Sequence, residues 1–243
     1  MQRLRASPEL LDGDLADGAV LAGNLRDLRR INRLLGGAAL SRAALEALVR
    51  AGMIDGRGRA AGEPVRLLDV GTGAADIPAA LLDAWPRDRP PLVVTAVDSR
   101  HEILEAAAVV SQRVRRPGLE LVLGDGLALS YPDASFDVVH TSMVLHHLDP
   151  DDGARLLREI ARVSRFGVVV NDLTRGWLPW AGAWLLLHVA TRNRFTRHDG
   201  PLSVRRAYLP REARTLIEGA GLEVIHEARA VFGHRWAFAA VRR

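Results

Sequence analysis

Apolar residues along this chain alternate between two spacings, and the alternation lays out its elements. Continuous apolar runs recur at VRLLDV from Val65, PLVVTAVD ending at Asp98, LELVLGD ending at Asp125, FDVVHTS ending at Ser142 and FGVVVNDL ending at Leu173. Runs of that length, bounded by glycine, proline or acids, predict strands buried on both faces. Between them the apolar residues stand three and four apart. That spacing predicts helices reaching to about Trp85, from Arg100 to about Arg115, from about Asp151 to Ser164 and from Pro210 to Gly219. Strand and helix in alternation predict a mostly parallel α/β sheet. LEVIHEARAV and HRWAFAAVRR are joined by too short a link for a crossover, so they predict an antiparallel hairpin closing the sheet edge.

Two regions fall outside the alternation. Before the first strand, Leu25, Leu28, Ile31, Leu34 and Leu35 recur at helical spacing, Gly36-Gly37 supplies a stop, and a second helix runs from Ser41 to about Ala51. A glycine-rich loop then leads to Pro64. The chain therefore divides into an N-terminal helical cap, 1–63, and a sheet domain, 64–243, with a lid-like insertion at 174–210. Within the insertion, Gly176 to Ala190 is the most apolar stretch. It is too short to span a bilayer, for which about 20 residues are needed, and it carries Pro179 and His188. A buried or interfacial helix is the expectation, either walling an apolar pocket or serving as the face of a homodimer.

Composition removes several function classes. With 243 residues, 48% of them hydrophobic, the chain can bury a core without staples. It has no cysteine, which excludes disulfides, thiolate metal sites and a cysteine nucleophile. Its 33 basic and 29 acidic residues are interspersed, so the net charge of +4 reads as a solvated surface with no nucleic-acid partner. MQRLRASPELLDGDL has no apolar core of signal-peptide length, and a cytoplasmic protein is expected.

The chemistry concentrates at strand ends. LLDVGTGAADIP, Leu67 to Pro78, is a strand that turns through glycines into a helix, where backbone can approach a ligand closely. A dinucleotide site would want a third glycine near Asp76; a carboxylate there opposes a diphosphate and favours a cofactor without phosphates, such as S-adenosylmethionine. Asp98, closing the second strand, can accept hydrogen bonds from ribose hydroxyls, and Asp125, closing the third, from an adenine amine. Open α/β sheets bind their ligands at these carboxyl ends.

Together DVGTGAADIP, AVDSR, GDGLALSYPDASFDVVHTSMVLHHL and the later NDL resemble the class I methyltransferases related to ubiquinone and menaquinone methylases, over roughly Val65 to Asp172. The resemblance implies a seven-stranded Rossmann-like fold with S-adenosylmethionine at Asp69, Gly71, Gly73, Asp98, Asp125 and Gly126, and with Thr141 and Ser142 beside it. NLRDLRRINRLLGG and TRHDGPLSVRRAY further resemble a bacterial subgroup associated with polyketide or quinone-like natural products.

Methyl transfer to a phenol calls for a general base, because a phenol with a pKa near 10 is mostly protonated at neutral pH. His146 and His147 follow the fourth strand and are candidates, one catalytic and one structural, with His146 favoured. His198 beside Asp199 is a further candidate base; the same RHDG stretch reads equally as a simple turn. Asn171 and Asp172 end the fifth strand, but the acidic set is too small for a metal, and none is expected. The expected function is methylation of a hydroxyl, or less readily a carbon, on a hydrophobic small molecule. The alternatives are an NAD-dependent oxidoreductase, weakened by Asp76 and the closing hairpin, and a non-catalytic S-adenosylmethionine-binding module. Amino-group methylation lacks its NPPY-like motif, since HTSMVL stands after the fourth strand.

Overall fold

The five apolar runs and the terminal pair form β1 (Val65–Val70), β2 (Leu92–Asp98), β3 (Leu119–Leu123), β4 (Phe136–Ser142), β5 (Ser164–Leu173), β6 (Leu222–Arg229) and β7 (Arg235–Arg242). In this computed structural model, which describes residues 1–5, 7–13, 15, 17–54, 62–110 and 115–243, they make one sheet. Its order is β3-β2-β1-β4-β5-β7-β6. Neighbours from β3 to β5 are parallel, and β7 runs antiparallel to both β5 and β6. Strand order reverses between β1 and β4, which opens a crevice at their carboxyl ends.

The helices are α1 (Gly18–Leu34), α2 (Gly37–Arg50), α3 (Asp76–Ala84), α4 (His101–Val110), α5 (Pro150–Val163), α6 (Trp177–Ala190), α7 (Arg194–Arg206) and α8 (Pro210–Gly219). In α5, Pro150 opens the helix, Asp151 and Asp152 face the positive end of its dipole, and Leu156, Leu157, Ile160 and Val163 are buried. One core lies between the sheet and α2 and α3, with Leu45, Leu48 and Ile77 packed on Leu67, Val94 and Ala239. A second lies on the opposite face, where Leu156, Ile160 and Ile217 pack on Leu68, Val139 and Phe238.

Three local readings change in the folded chain. Gly36-Gly37 is not simply a stop: Gly36 takes φ +77° and α2 begins at Gly37, four residues before Ser41. A side chain at Gly37 would stand 2.6 Å from Arg235 Nη1, so the glycine serves a close approach. The RHDG stretch is no turn; it lies inside α7, where a Cβ on Gly200 would meet Leu187 Cδ1 at 2.0 Å across the α6–α7 contact. The third is the helix expected to run to about Arg115, which is observed as α4 to Val110; residues 111–114 lie outside the described residues, as does 55–61 of the glycine-rich loop.

Candidate active site

After β1 the chain must turn sharply into α3. Gly71 takes φ +72°, and a Cβ there would come within 2.2 Å of Val144 Cγ2, so only glycine fits. The Gly71 and Thr72 amides both donate to the Val97 carbonyl, at 2.8 and 2.9 Å, which ties the turn to β2. At the end of β2 the buried Asp98 carboxylate accepts from the Gly73 amide at 2.9 Å and the Arg100 amide at 3.2 Å. Burial pushes its carboxyl pKa up, against the pull of those amides. Ala75 and Met143 flank the turn with φ of 50° and 62°, strained values for residues with a β-carbon.

A cavity of about 800 Å³ opens here, over the carboxyl ends of β1, β2 and β4. Its far walls are α1, α6, α7 and the segment around Glu9 and Asp12. Three buried polar atoms on lining residues, Asn24 Oδ1, Thr72 Oγ1 and His234 Nε2, have no hydrogen-bond partner among the described residues. Buried polar groups without partners are rare, and these suit a ligand with polar groups. Asp76 also lines the cavity at the start of α3. Its carboxylate accepts from Asn32 Nδ2 at 3.1 Å and is pushed upward by burial. It fills the position where a dinucleotide would place its diphosphate, whereas a cationic, phosphate-free cofactor fits beside it.

Among the sequence-predicted residues, the cavity gathers Asp69, Gly71, Gly73, Asp98, Ser142, His146 and His147. Four others are not on its lining. Asp125 is exposed, and its carboxylate accepts from the Leu127 amide at 2.8 Å, capping its own loop. Gly126 lies against Val70 Cγ1, where a Cβ would stand at 2.7 Å. The buried Thr141 hydroxyl donates to the Val70 carbonyl at 2.9 Å. His198 is half-exposed on α7 and pairs through Nδ1 with Asp199 at 2.8 Å. Asp199 itself accepts from the Leu10 and Leu11 amides, at 2.8 and 3.0 Å.

His146 and His147 sit on a short 3-10 turn, Leu145–His147, just after β4. The buried His146 donates its Nδ1 proton to Asp172 Oδ1 at 2.6 Å, and its amide donates to Oδ2 at 3.0 Å. Burial alone would raise the Asp172 carboxyl; the charge and hydrogen bonds of His146 reverse this and hold it below the usual range. With Nδ1 committed to Asp172, Nε2 is the other nitrogen of the ring, 3.7 Å from Glu9 Oε1. His147 pairs Nδ1 with Asp12 Oδ1 at 2.9 Å and stands 3.7 Å from Glu9 Oε2. Burial pulls its imidazole down, but the Asp12 hydrogen bond and the charges of Glu9 and Asp12 outweigh that and raise it.

Glu9 and Asp12 were not singled out in the sequence. They arrive from a segment more than 130 residues away, and nothing in their spacing marks them. Glu9 is buried, accepts from Ser203 Oγ at 2.8 Å, and has Arg206 at 4.0 Å. Glu9, His146 and His147 each offer a donor atom within 4.8 Å of the others, close enough to share a cation. Behind the cavity runs a second buried polar chain that periodicity could not reveal. His140 bridges Asp69 and Ser41; Asn171 donates to Ser41 at 2.8 Å; Arg235 donates to Asn171, Asn32 and Ser142.

Residues 68–170 match a family described as a methyltransferase domain. The chain is 33% identical over 123 residues to a demethylmenaquinone methyltransferase from Roseiflexus sp. (strain RS-1), a match covering 49% of this chain and 48% of that protein. It therefore spans about half the length of that curated relative. The fold is similar to a SAM dependent methyltransferase from Aquifex aeolicus, with TM-score 0.58, 19% identity, and 88% and 97% of the two chains covered. It is also similar to magnesium protoporphyrin IX methyltransferase from Synechocystis PCC 6803 with bound SAM. There the TM-score is 0.60, the identity 14%, and the coverage 94% and 92%.

Proposed function

We propose that this chain, a class I methyltransferase by the family of its residues 68–170 and by its fold, methylates a hydroxyl group on a hydrophobic aromatic, polyketide or quinone-like small molecule. The observation that carries the reading is one cavity holding both halves of a transfer site. The glycine turn, Asp98 and the Asp172-anchored His146 all line it, together with apolar residues.

S-adenosylmethionine, when bound, supplies a methyl group already activated on a sulfonium. Gly71, Gly73, Thr72, Asp98 and Asn24 are the groups that would hold it. What remains for the protein is positioning, exclusion of water and removal of one proton. His146 Nε2 takes that proton from the acceptor hydroxyl, and Asp172 orients the ring and stabilises the imidazolium that results. The His147 imidazole, its pKa raised, stands between Asp12 and Glu9 with Arg206 beside these carboxylates, and the reading calls on no metal. Leu28, Ile31, Leu178 and Leu186 make the acceptor wall apolar. The relatives named for demethylmenaquinone and magnesium protoporphyrin IX lend support to a ring-bearing acceptor.

Calorimetry with S-adenosylmethionine and its demethylated product tests the first half. Wild type binds, and Asp98→Ala loses about 2–3 kcal/mol, the worth of hydrogen bonds to a charged group. Asp98→Asn, which keeps the shape, separates the lost charge from lost folding. Labelled-methyl transfer to a panel of phenols and hydroquinones tests the second half. His146→Gln lowers kcat by roughly 10²–10⁴ with cofactor affinity unchanged. A well-folded wild type that binds neither cofactor form sinks the proposal.

A further inference from the structure

Helix α6 carries apolar residues on all sides and no charged residue except the ionisable His188. One side is explained by the cavity: Leu178, Pro179, Gly182, Ala183, Leu186 and Leu187 line it, at the three-and-four spacing of a single helix face. Other residues of α6 line nothing. Trp177 is 68% exposed, Leu185 60% and Val189 80%, with Trp184 beside them, and Leu187 is the helix's one buried residue. The β6–β7 turn adds Val231 and Phe232, 94% and 78% exposed, and Phe232 is also a lining residue of the cavity. Leu34, at the end of α1, is exposed as well. Exposed apolar residues gathered in this way mark an interaction site, and three of them, Leu178, Leu186 and Phe232, also line the cavity.

Charge indicates what covers it. From Thr174 to His198 the chain has no acidic residue and four arginines, and only Arg175 of these is buried. Arg192 and Arg194 are exposed just beyond α6, and Arg197 donates to the Thr191 and His188 carbonyls at its end. Arg30 lies on the side of α1 where Asp27 accepts from Thr191. Even with Asp17 and Asp27 set against them, these arginines leave the border positive. Two copies of this face would bring like charges together, whereas anionic headgroups would meet them favourably. Tryptophan at the boundary between apolar and polar surface suits a bilayer interface.

We infer that α6 and the β6–β7 turn form a docking surface for an anionic lipid bilayer, placing the cavity mouth at the membrane. No helix among the described residues is long and apolar enough to cross a membrane, so the contact is peripheral. That the acceptor enters from the lipid phase rests on the proposed function; the docking itself does not.

The test is cosedimentation of the full chain with phosphatidylcholine–phosphatidylglycerol vesicles, against phosphatidylcholine alone and against the triple variant Trp177→Ser/Leu185→Ser/Val189→Ser. None of the three residues lines the cavity. Wild type pellets with the anionic vesicles, less at high salt, and the variant's partitioning falls roughly tenfold or more. S-adenosylmethionine calorimetry on both proteins keeps this result separate from the cofactor reading and shows that the variant is folded. Wild type that stays in the supernatant, or a variant that pellets equally, overturns the inference. So does sedimentation velocity showing a wild-type dimer that the variant dissolves, because the face would then join two copies.

Discussion

Two carboxylates distant in the chain, Asp12 and Glu9, make His147 bind its proton more tightly than a free imidazole does, against burial and the charge of Arg206. Asp12 takes its Nδ1, Glu9 faces its Nε2, Arg206 opposes them both, and the neighbouring His146 ring stands 4.3 Å away. Its pKa in the folded chain lies above the unfolded value of about 6.5. The stability it contributes is therefore full below that unfolded value and is lost as pH rises through the folded one. Asp12 runs the other way: its carboxyl is held far below the usual range, so its contribution survives except in strong acid. Urea midpoints measured from pH 6 to 9 should fall for wild type and stay flatter for His147→Gln. Below pH 6.5 the variant should be weaker by about 1–3 kcal/mol, the worth of hydrogen bonds to a charged group. A variant that follows the wild-type curve in parallel would show that His147 is not the titrating group. The HH pair was legible in the sequence as a candidate base; that His146 owns Asp172 and His147 owns Asp12 was not, because each partner is distant along the chain.

At the scale of elements, β7 does more than close the sheet. It brings the fully buried Arg235 beneath α1 and α2, where its guanidinium donates to Asn171 at 2.6 Å, Asn32 at 2.7 Å and Ser142 at 2.8 Å. Burial pulls its pKa down to about 10, against the charges of Asp172 and Asp76. A group so desolvated is held by its partners, and removing it strands them. Arg235→Met should cost about 3–5 kcal/mol in urea unfolding, much of it from carbonyl and hydroxyl groups left without a donor. Arg235→Lys should recover little, because one ammonium cannot reproduce the fork. An Arg235→Met protein as stable as wild type would show the network to be dispensable. The hairpin itself was readable from two apolar runs with a short link; the arginine at its start looked like any other surface charge.

On the scale of the whole molecule, the first twelve residues reach across to α7 and the turn after β4. The Leu4 amide donates to the Arg205 carbonyl at 3.0 Å, Arg3 donates to the Leu148 carbonyl at 2.7 Å, and Asp199 holds the Leu10 and Leu11 amides. This strap walls the cavity with Glu9, Leu11 and Asp12, and among its described residues only Leu11 packs on a core cluster, the small one between α1, α4 and α7. Deleting residues 1–12 should therefore leave a folded protein with nearly unchanged S-adenosylmethionine affinity and strongly reduced methyl transfer. Calorimetry and labelled-methyl transfer on the same preparation separate the two effects. Full turnover by the shortened protein would remove the strap from the acceptor site.

Periodicity by itself determined the sheet, the closing hairpin and the glycine turn, because burial on a sheet and a tight strand-to-helix turn each restrict residue types locally. It placed Asp69, Asp98 and the two histidines at strand ends, which are local features too. Only the tertiary structure decided which of these side chains face the cavity. Asp125 and Thr141 turn to backbone groups near at hand, since an unpaired polar group close to a free amide or carbonyl will satisfy it. It also decided the partners of the buried charges. Asp172 for His146, Glu9 for the pair, and Asn32 for Asp76 are contacts across the fold, and no spacing along a chain encodes a contact between distant segments.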